Sequence, residues 1–253
     1  MSEQSIPAYG QAPGVFRIGD VLSSAFSIVG QRFPLFFLIY LVSSLPGRLI
    51  VVLFGASGQQ VPPDSRALLA TLGGSLLAML LAILGQSTVL FIAYQTLRKQ
   101  PVTLGEAFGR ALNRFFPMLG AIICVVLAVM LGLLLLVVPG AMLAIRYYTF
   151  AAVCLIEQRG PIDSLKRSAE LTQGDRWPIF GLALLVAVAT GVITLPVTLM
   201  LPTLLGQVTA GIVAIPVTAA TGAVNTTIFV AVYRALRLAK EGPDGDPLAR
   251  VFD

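Results

Sequence analysis

Few side chains in this sequence could do chemistry, and Arg146 is the sharpest of them, set deep in the apolar run VPGAMLAIRYYTFAAVCLI. An arginine at a helix centre costs roughly 2.5–3.5 kcal/mol to place in a bilayer, so something should offset it. A guanidinium binds phosphate oxygens in pairs. In the topology argued below, every acidic residue except Asp64 falls outside the apolar runs on one side, which leaves Arg146 and its neighbour Tyr147 without a carboxylate nearby. The phosphate of a lipid or lipid-linked molecule would suit them. The plainer alternative is that Arg146 snorkels to an interface, or caps carbonyls freed at Pro139-Gly140.

Two amides share the setting of Arg146. QSTVLFIAYQTLR, residues 86–98, aligns without a gap with NTTIFVAVYRALR, residues 225–237, and pairs Gln86 with Asn225, Tyr94 with Tyr233 and Arg98 with Arg237. Counting back from Pro101 and Pro161 places Arg146 opposite Gln86. Gln86, Arg146 and Asn225 therefore form a candidate polar or lipid site, with interhelical hydrogen bonding as the alternative use of the amides. A second group, Arg110, Arg114, Lys166, Arg167, Arg176 and Trp177, would make a basic collar for anionic headgroups. The spacing of Asp163, Lys166, Arg167 and Glu170 suits an ordinary solvated helix face with local ion pairs better than a catalytic cluster.

The chain has no histidine, the commonest acid–base and metal-binding side chain. No phosphate loop, nucleophile elbow, zinc-protease signature or dinucleotide fingerprint is present. Cys124 and Cys154 lie in apolar runs without metal-ligand spacing and read as small packing residues. The expectation is a protein that is not an enzyme, with no catalytic, cofactor-binding or metal-binding residues.

The elements that must position these residues are membrane helices. Hydrophobic residues make up 57% of the 253 and charged ones only 11%, against about 25% charged in soluble chains. Spans near 33–55, 67–94, 117–137, 141–157, 178–200 and 208–233 give an all-α, polytopic bundle of six transmembrane helices. Of 17 basic residues, all but Arg48, Arg66 and Arg146 then fall on one side, which the positive-inside rule makes cytoplasmic, with both termini there. The basic balance thus reflects topology, and nucleic acid is not an expected partner.

Residues 1–15 and 241–253 read as flexible tails around a membrane domain at 16–240. Within it, three units at about 16–99, 100–159 and 160–240 each repeat an interfacial amphipathic helix, an aromatic-proline pair (Phe33-Pro34, Phe116-Pro117, Trp177-Pro178) and a helical hairpin. Asp20 and Asp163 are candidate N-caps, and Thr103 with Glu106 fits a capping box. The break at Pro46-Gly47-Arg48 should interrupt the first span. Ser43-Ser44, Gly73-Gly74-Ser75 and Thr190, Thr194 and Thr198 suit close helix packing.

FRIGDVLSSAFSIV near the start, VPGAMLAIRYYTFA in the middle and GPIDSLKRSAELTQGDRWPIFGL after it resemble the bacterial YciC-like proteins. That group is close to the glycerophosphoryl diester phosphodiesterase membrane domain. The resemblance implies a multi-pass inner-membrane domain of poorly defined activity. The phosphodiesterase name belongs to fusions with a soluble barrel, and neither histidine nor clustered carboxylates stand in for that site here. The expected function is a non-catalytic bacterial inner-membrane protein that engages lipid or supports an envelope process. The alternative is a small transporter or flippase for an anionic lipid or amphiphile near Arg146. Membrane lipids are the expected partners, with a homo-oligomer or a membrane-protein partner also compatible with the flat, small-residue faces.

Overall fold

Apolar runs of this length can satisfy their backbone in lipid only as helices or closed barrels, and the chain takes the first route. The computed structural model describes residues 17–55 and 65–242, and among these are ten helices and no strand. In order they are α1 (Ile18–Gly55), α2 (Ser65–Leu97), α3 (Leu104–Asn113), α4 (Phe115–Leu135), α5 (Val137–Arg146), α6 (Phe150–Ile156), α7 (Pro161–Leu171), α8 (Arg176–Leu199), α9 (Leu201–Leu205) and α10 (Gln207–Glu241). Six stretches are long and apolar enough to cross a membrane: Ile18–Pro46, Leu72–Leu97, Phe115–Leu135, Val137–Ile156, Arg176–Leu205 and Thr209–Glu241. The all-α bundle of six spans is thus the observed architecture.

Several boundaries differ from the sequence reading. The first amphipathic segment is not a separate interfacial helix, because α1 runs unbroken for 38 residues through both Pro34 and Pro46. Each proline removes one hydrogen bond, and one lost bond does not stop a helix packed against α2 and α10. Asp20 lies in the first turn of α1 and is not its cap. In α7 the cap is Gly160, with Pro161 at the first helical position and Asp163 inside the first turn, since the fixed φ of proline suits that position. Thr103 and Glu106 do form a capping box at the start of α3. The fourth span is two helices separated by Tyr147–Thr149. Glu241, read as tail, ends α10 and takes part in ion pairs. The tails at 1–15 and 243–253, Asp64, and the side chains of Arg48 and Arg66 lie outside the described residues.

The centre is built by α1, α2 and α10 packed on one another, with the short α6 held by α2, α4 and α7 and its Ala151–Leu155 all buried. A helix apolar on every side belongs inside a bundle. Phe36, Leu90, Ile92, Val230 and Tyr233 belong to the same buried cluster as the α6 residues. Lipid is as apolar as these side chains, so close packing carries the association more than the hydrophobic effect does. Small residues permit that closeness at three crossings. A Cβ on Gly85 would lie 2.8 Å from the Cβ of Ser43, one on Gly222 would lie 2.9 Å from the Tyr40 ring, and one on Gly140 would meet the backbone nitrogen of Leu133 at 2.8 Å. Tyr40 also hydrogen-bonds Thr226 across the α1–α10 seam. By contrast α8 stands outside: in its most apolar stretch no residue is buried.

Because a side chain at Gly140 would meet the Leu133 backbone nitrogen as well as the Leu133 side chain, Gly140→Ala should cost about 1–3 kcal/mol by overpacking the α4–α5 hairpin. Gly181→Ala, where nothing lies within 4 Å, should be neutral or slightly stabilising, since alanine is the better helix former. Thermal unfolding of the two variants in detergent compares them; equal midpoints would contradict the packing account.

Candidate functional site

The site region begins at the break in the fourth span. α5 ends at Arg146, and the next helix starts only at Phe150. A break inside lipid exposes backbone groups that need partners, and α7 supplies them. The Ser168 and Thr172 hydroxyls both donate to the Arg146 carbonyl, at 3.3 and 3.1 Å. The Ser168 oxygen accepts from the Thr149 amide at 3.1 Å and lies 3.0 Å from the Thr149 hydroxyl. Ser168, Thr172 and Thr149 are completely buried. The serine and threonine of SAELTQGDRW therefore hold the broken helix together.

Beside this staple, one end of the bundle gathers charge. Tyr233 on α10 donates to Glu157 at 3.0 Å, and Glu157 also pairs with Arg159 at 2.9 Å and Arg167 at 3.4 Å. Arg167 reaches on to Glu170 and to Glu241, and Arg237 pairs with Glu241 at 2.9 Å. Arg237 further donates to the hydroxyls of Tyr94 and Tyr233, whose rings lie 6.0 Å apart. Basic residues of α10 also cap other helices: Arg234 donates to the Leu97 carbonyl at the end of α2, and Lys240 to those of Glu170 and Gln173 after α7. Cations at helix C-termini satisfy leftover carbonyls and oppose the dipole. α2, α6, α7 and α10 are thus bound together at this end.

The expected collar divides accordingly. Arg167 is drawn into the network and is not offered to headgroups; its side chain meets carboxylates from three elements. Lys166 is exposed and only loosely paired with Asp163. Arg176 is half-buried at the start of α8, and Trp177 beside it is 82% exposed with its edge against Phe180. Arg110 and Arg114 line an open groove of about 610 Å³ with Glu106, Gly109, Asn113 and Gln158. Arg110 lies over the Phe91 ring at 5.1 Å, and Arg114 donates to Gln158 at 3.2 Å. Glu106 accepts from the Thr103 amide, which holds its carboxyl below the usual carboxylate range, helped by the Thr103 hydroxyl.

Gln86 and Asn225 lie at matching distances from the paired tyrosines Tyr94 and Tyr233. Eight residues separate Gln86 from Tyr94 and Asn225 from Tyr233, about 12 Å of helix below the paired tyrosines. Tyr148, next to the break, packs on Phe229, one turn from Asn225. No hydrogen bond joins any two of Gln86, Arg146 and Asn225. Asn225 is half-buried and accepts from Thr190 at 3.2 Å; Gln86 and Arg146 are exposed, with the Arg146 guanidinium 5.9 Å from the ring of Tyr147. Sequence reasoning missed Glu157, Arg237 and Glu241. The Arg98/Arg237 pairing was the available signal for Arg237, and nothing local marked Glu157 or Glu241.

A family model described as Domain of unknown function (DUF7847) matches residues 67–236, and the chain belongs to that family. No curated protein and no solved structure matches the chain.

If the network is a structural clamp, Glu157→Gln should cost on the order of 2–4 kcal/mol by leaving Arg167 under-compensated in a mostly buried place. Lys166→Ala should change stability by less than about 0.5 kcal/mol. Unfolding midpoints in detergent read both. Acid acts on the cap of α3. With its folded pKa depressed, ionised Glu106 contributes fully above the ordinary carboxylate range, and that contribution is lost as pH falls through the depressed value. Amide exchange in the first turn of α3 should accelerate only there, and Glu106→Gln should remove the dependence.

Proposed function

We propose that this member of the DUF7847 family is a non-catalytic, multi-pass protein of a bacterial inner (cytoplasmic) membrane that engages lipid at its charged end. Both termini would lie on the cytoplasmic side. The observation that carries the reading is the outward face of α3. Leu104, Phe108 and Leu112 recur every four residues, each about half exposed, and Phe116 follows at 79%. Such a stripe on a helix with a polar opposite face suits the headgroup–acyl boundary, and exposed Trp177 suits the aromatic belt at the same level. The sequence bias of basic residues and the resemblance to the YciC-like group support the orientation and the membrane. The absence of histidine from the sequence supports a role other than catalysis. Three copies of one unit remain our reading of the tyrosine-arginine pairing, and the exposed α8 is where a second copy or another membrane protein would pack.

A second reading has its own observation. Broken helices with polar groups at membrane depth are how many transporters build their sites, and the fourth span breaks at exposed Arg146. This favours a transporter or flippase for an anionic lipid or amphiphile. Transbilayer movement of a labelled anionic lipid in proteoliposomes separates the two readings. Lipid binding without movement would end the transport reading.

The first reading is tested with Trp177, the sole tryptophan. Its fluorescence should be quenched strongly in vesicles of lipids brominated near the headgroup and weakly when bromine sits at the chain ends. Equal resistance to both probes would place Trp177 in water or protein and overturn the interfacial assignment of this end.

A further inference from the structure

We infer that the groove between α3 and Gln158 is a binding site for the phosphodiester headgroup of an anionic phospholipid, held by Arg110 and Arg114. The inference rests on the lipid-engaging reading above and assigns it a place and a ligand class. Two arginines one turn apart would ordinarily be matched by nearby acids, and here the acid is present but committed elsewhere. Glu106 stands four residues before Arg110, the spacing at which a helical ion pair forms. Its carboxylate instead accepts the Thr103 amide in the capping box, at 3.0 Å. Among the described residues, no carboxylate lies within ion-pairing distance of Arg110 or Arg114.

Both guanidiniums are nonetheless partly fixed. Arg110 lies over the Phe91 ring, and Arg114 spends one donor on Gln158; a guanidinium has five. Gln158 is itself set by an unusual backbone, φ 57°. Half-buried, oriented cations with unspent donors form a pre-organised anion receptor. Asn113 and Gln158 add amides that can bond headgroup hydroxyls.

The choice of lipid over a soluble anion follows from the other side of the helix. At about 100° per residue, Leu104, Phe108 and Leu112 fall within one quadrant, and Arg110 and Arg114 lie well away from it. Gly109 falls between the two groups, and a side chain there would meet nothing within 4 Å. The open strip at Gly109 joins the lipid-facing stripe to the arginines. A phospholipid whose acyl chains lie along Leu104, Phe108 and Leu112 can pass its glycerol across Gly109 and its phosphate into the groove.

The test uses the full chain in nanodiscs containing phosphatidylcholine with a minor fraction of phosphatidylglycerol, with the lipid retained by the protein measured by native mass spectrometry. Wild type should retain phosphatidylglycerol over phosphatidylcholine, and R110Q/R114Q should lower that preference about tenfold, as expected for losing charge-assisted hydrogen bonds. Gly109→Leu leaves the charges untouched and fills open space, so it should fold normally and lower the preference comparably. Lys166→Gln should leave it intact. Retention unchanged in Gly109→Leu, or reduced equally by Lys166→Gln, would mean diffuse attraction and overturn the site. Displacement of the lipid by millimolar inorganic phosphate would mark a soluble-anion site and overturn the lipid assignment. Trp177 quenching persisting in the double variant would show that a failure belongs to the groove and leaves the interfacial reading standing.

Discussion

The constraint on which the structure depends is that backbone amides and carbonyls inside a membrane need partners within the protein. Spans that run as unbroken helices meet it with their own hydrogen bonds. The fourth span does not, because its chain leaves the helix at Tyr147 and resumes at Phe150. The Ser168 and Thr172 hydroxyls on the Arg146 carbonyl make that interruption tolerable. α7 must therefore lie against the break, with its serine face buried, and its position in turn fixes where Arg167 and Glu170 emerge. The ion-pair network at the charged end is a downstream result of how one carbonyl is satisfied.

This ordering separates two kinds of charged residue that composition lumps together. Arg167, Arg234, Arg237 and Lys240 bind helix ends and carboxylates of the same chain. Arg110 and Arg114 do not, and Lys166 and Trp177 stand in the open. The first set stiffens the end of the bundle. The second is what that end presents to its surroundings.

Length and hydropathy were enough to read six spans and an all-helical bundle, because a membrane helix announces itself over twenty residues. Thr103 and Glu106 were legible as a capping box because both partners lie within one turn. What was illegible depended on distant residues. Nothing local shows that α1 continues through Pro34 and Pro46, since the deciding contacts come from α2 and α10. Ser168 and Thr172 stood in the most distinctive stretch of the chain, yet their purpose required knowing that a carbonyl 22 and 26 residues earlier lacked a helical partner. Arg167 looked like part of a solvated face because Glu157 and Glu241 are ten and 74 residues away. The match between α2 and α10 aligned Tyr94 with Tyr233 as equivalent positions of a repeat and gave no sign that their rings lie 6.0 Å apart, while Gln86, Arg146 and Asn225 do not bond to one another.

The α4–α5 turn obeys the same constraint in its most economical form. Leu136 alone is non-helical there; its N–H donates to Gly132 and its carbonyl accepts from Gly140. From Phe115 to Ile145 no side chain is charged, and the exposed tip from Leu133 to Val138 is wholly apolar. A hairpin of this kind has no reason to seek water at its far end. Its polar ties are at the other end, where Arg114 donates to Gln158 and the Arg146 carbonyl accepts from Ser168 and Thr172, and its tip carries no tyrosine, tryptophan or basic residue to register the opposite headgroups. Mismatch should therefore act on this element in one direction: in a thicker bilayer the tip can stay among the acyl chains at whatever depth its tied end dictates, whereas in a thinner one its apolar residues would be driven toward water.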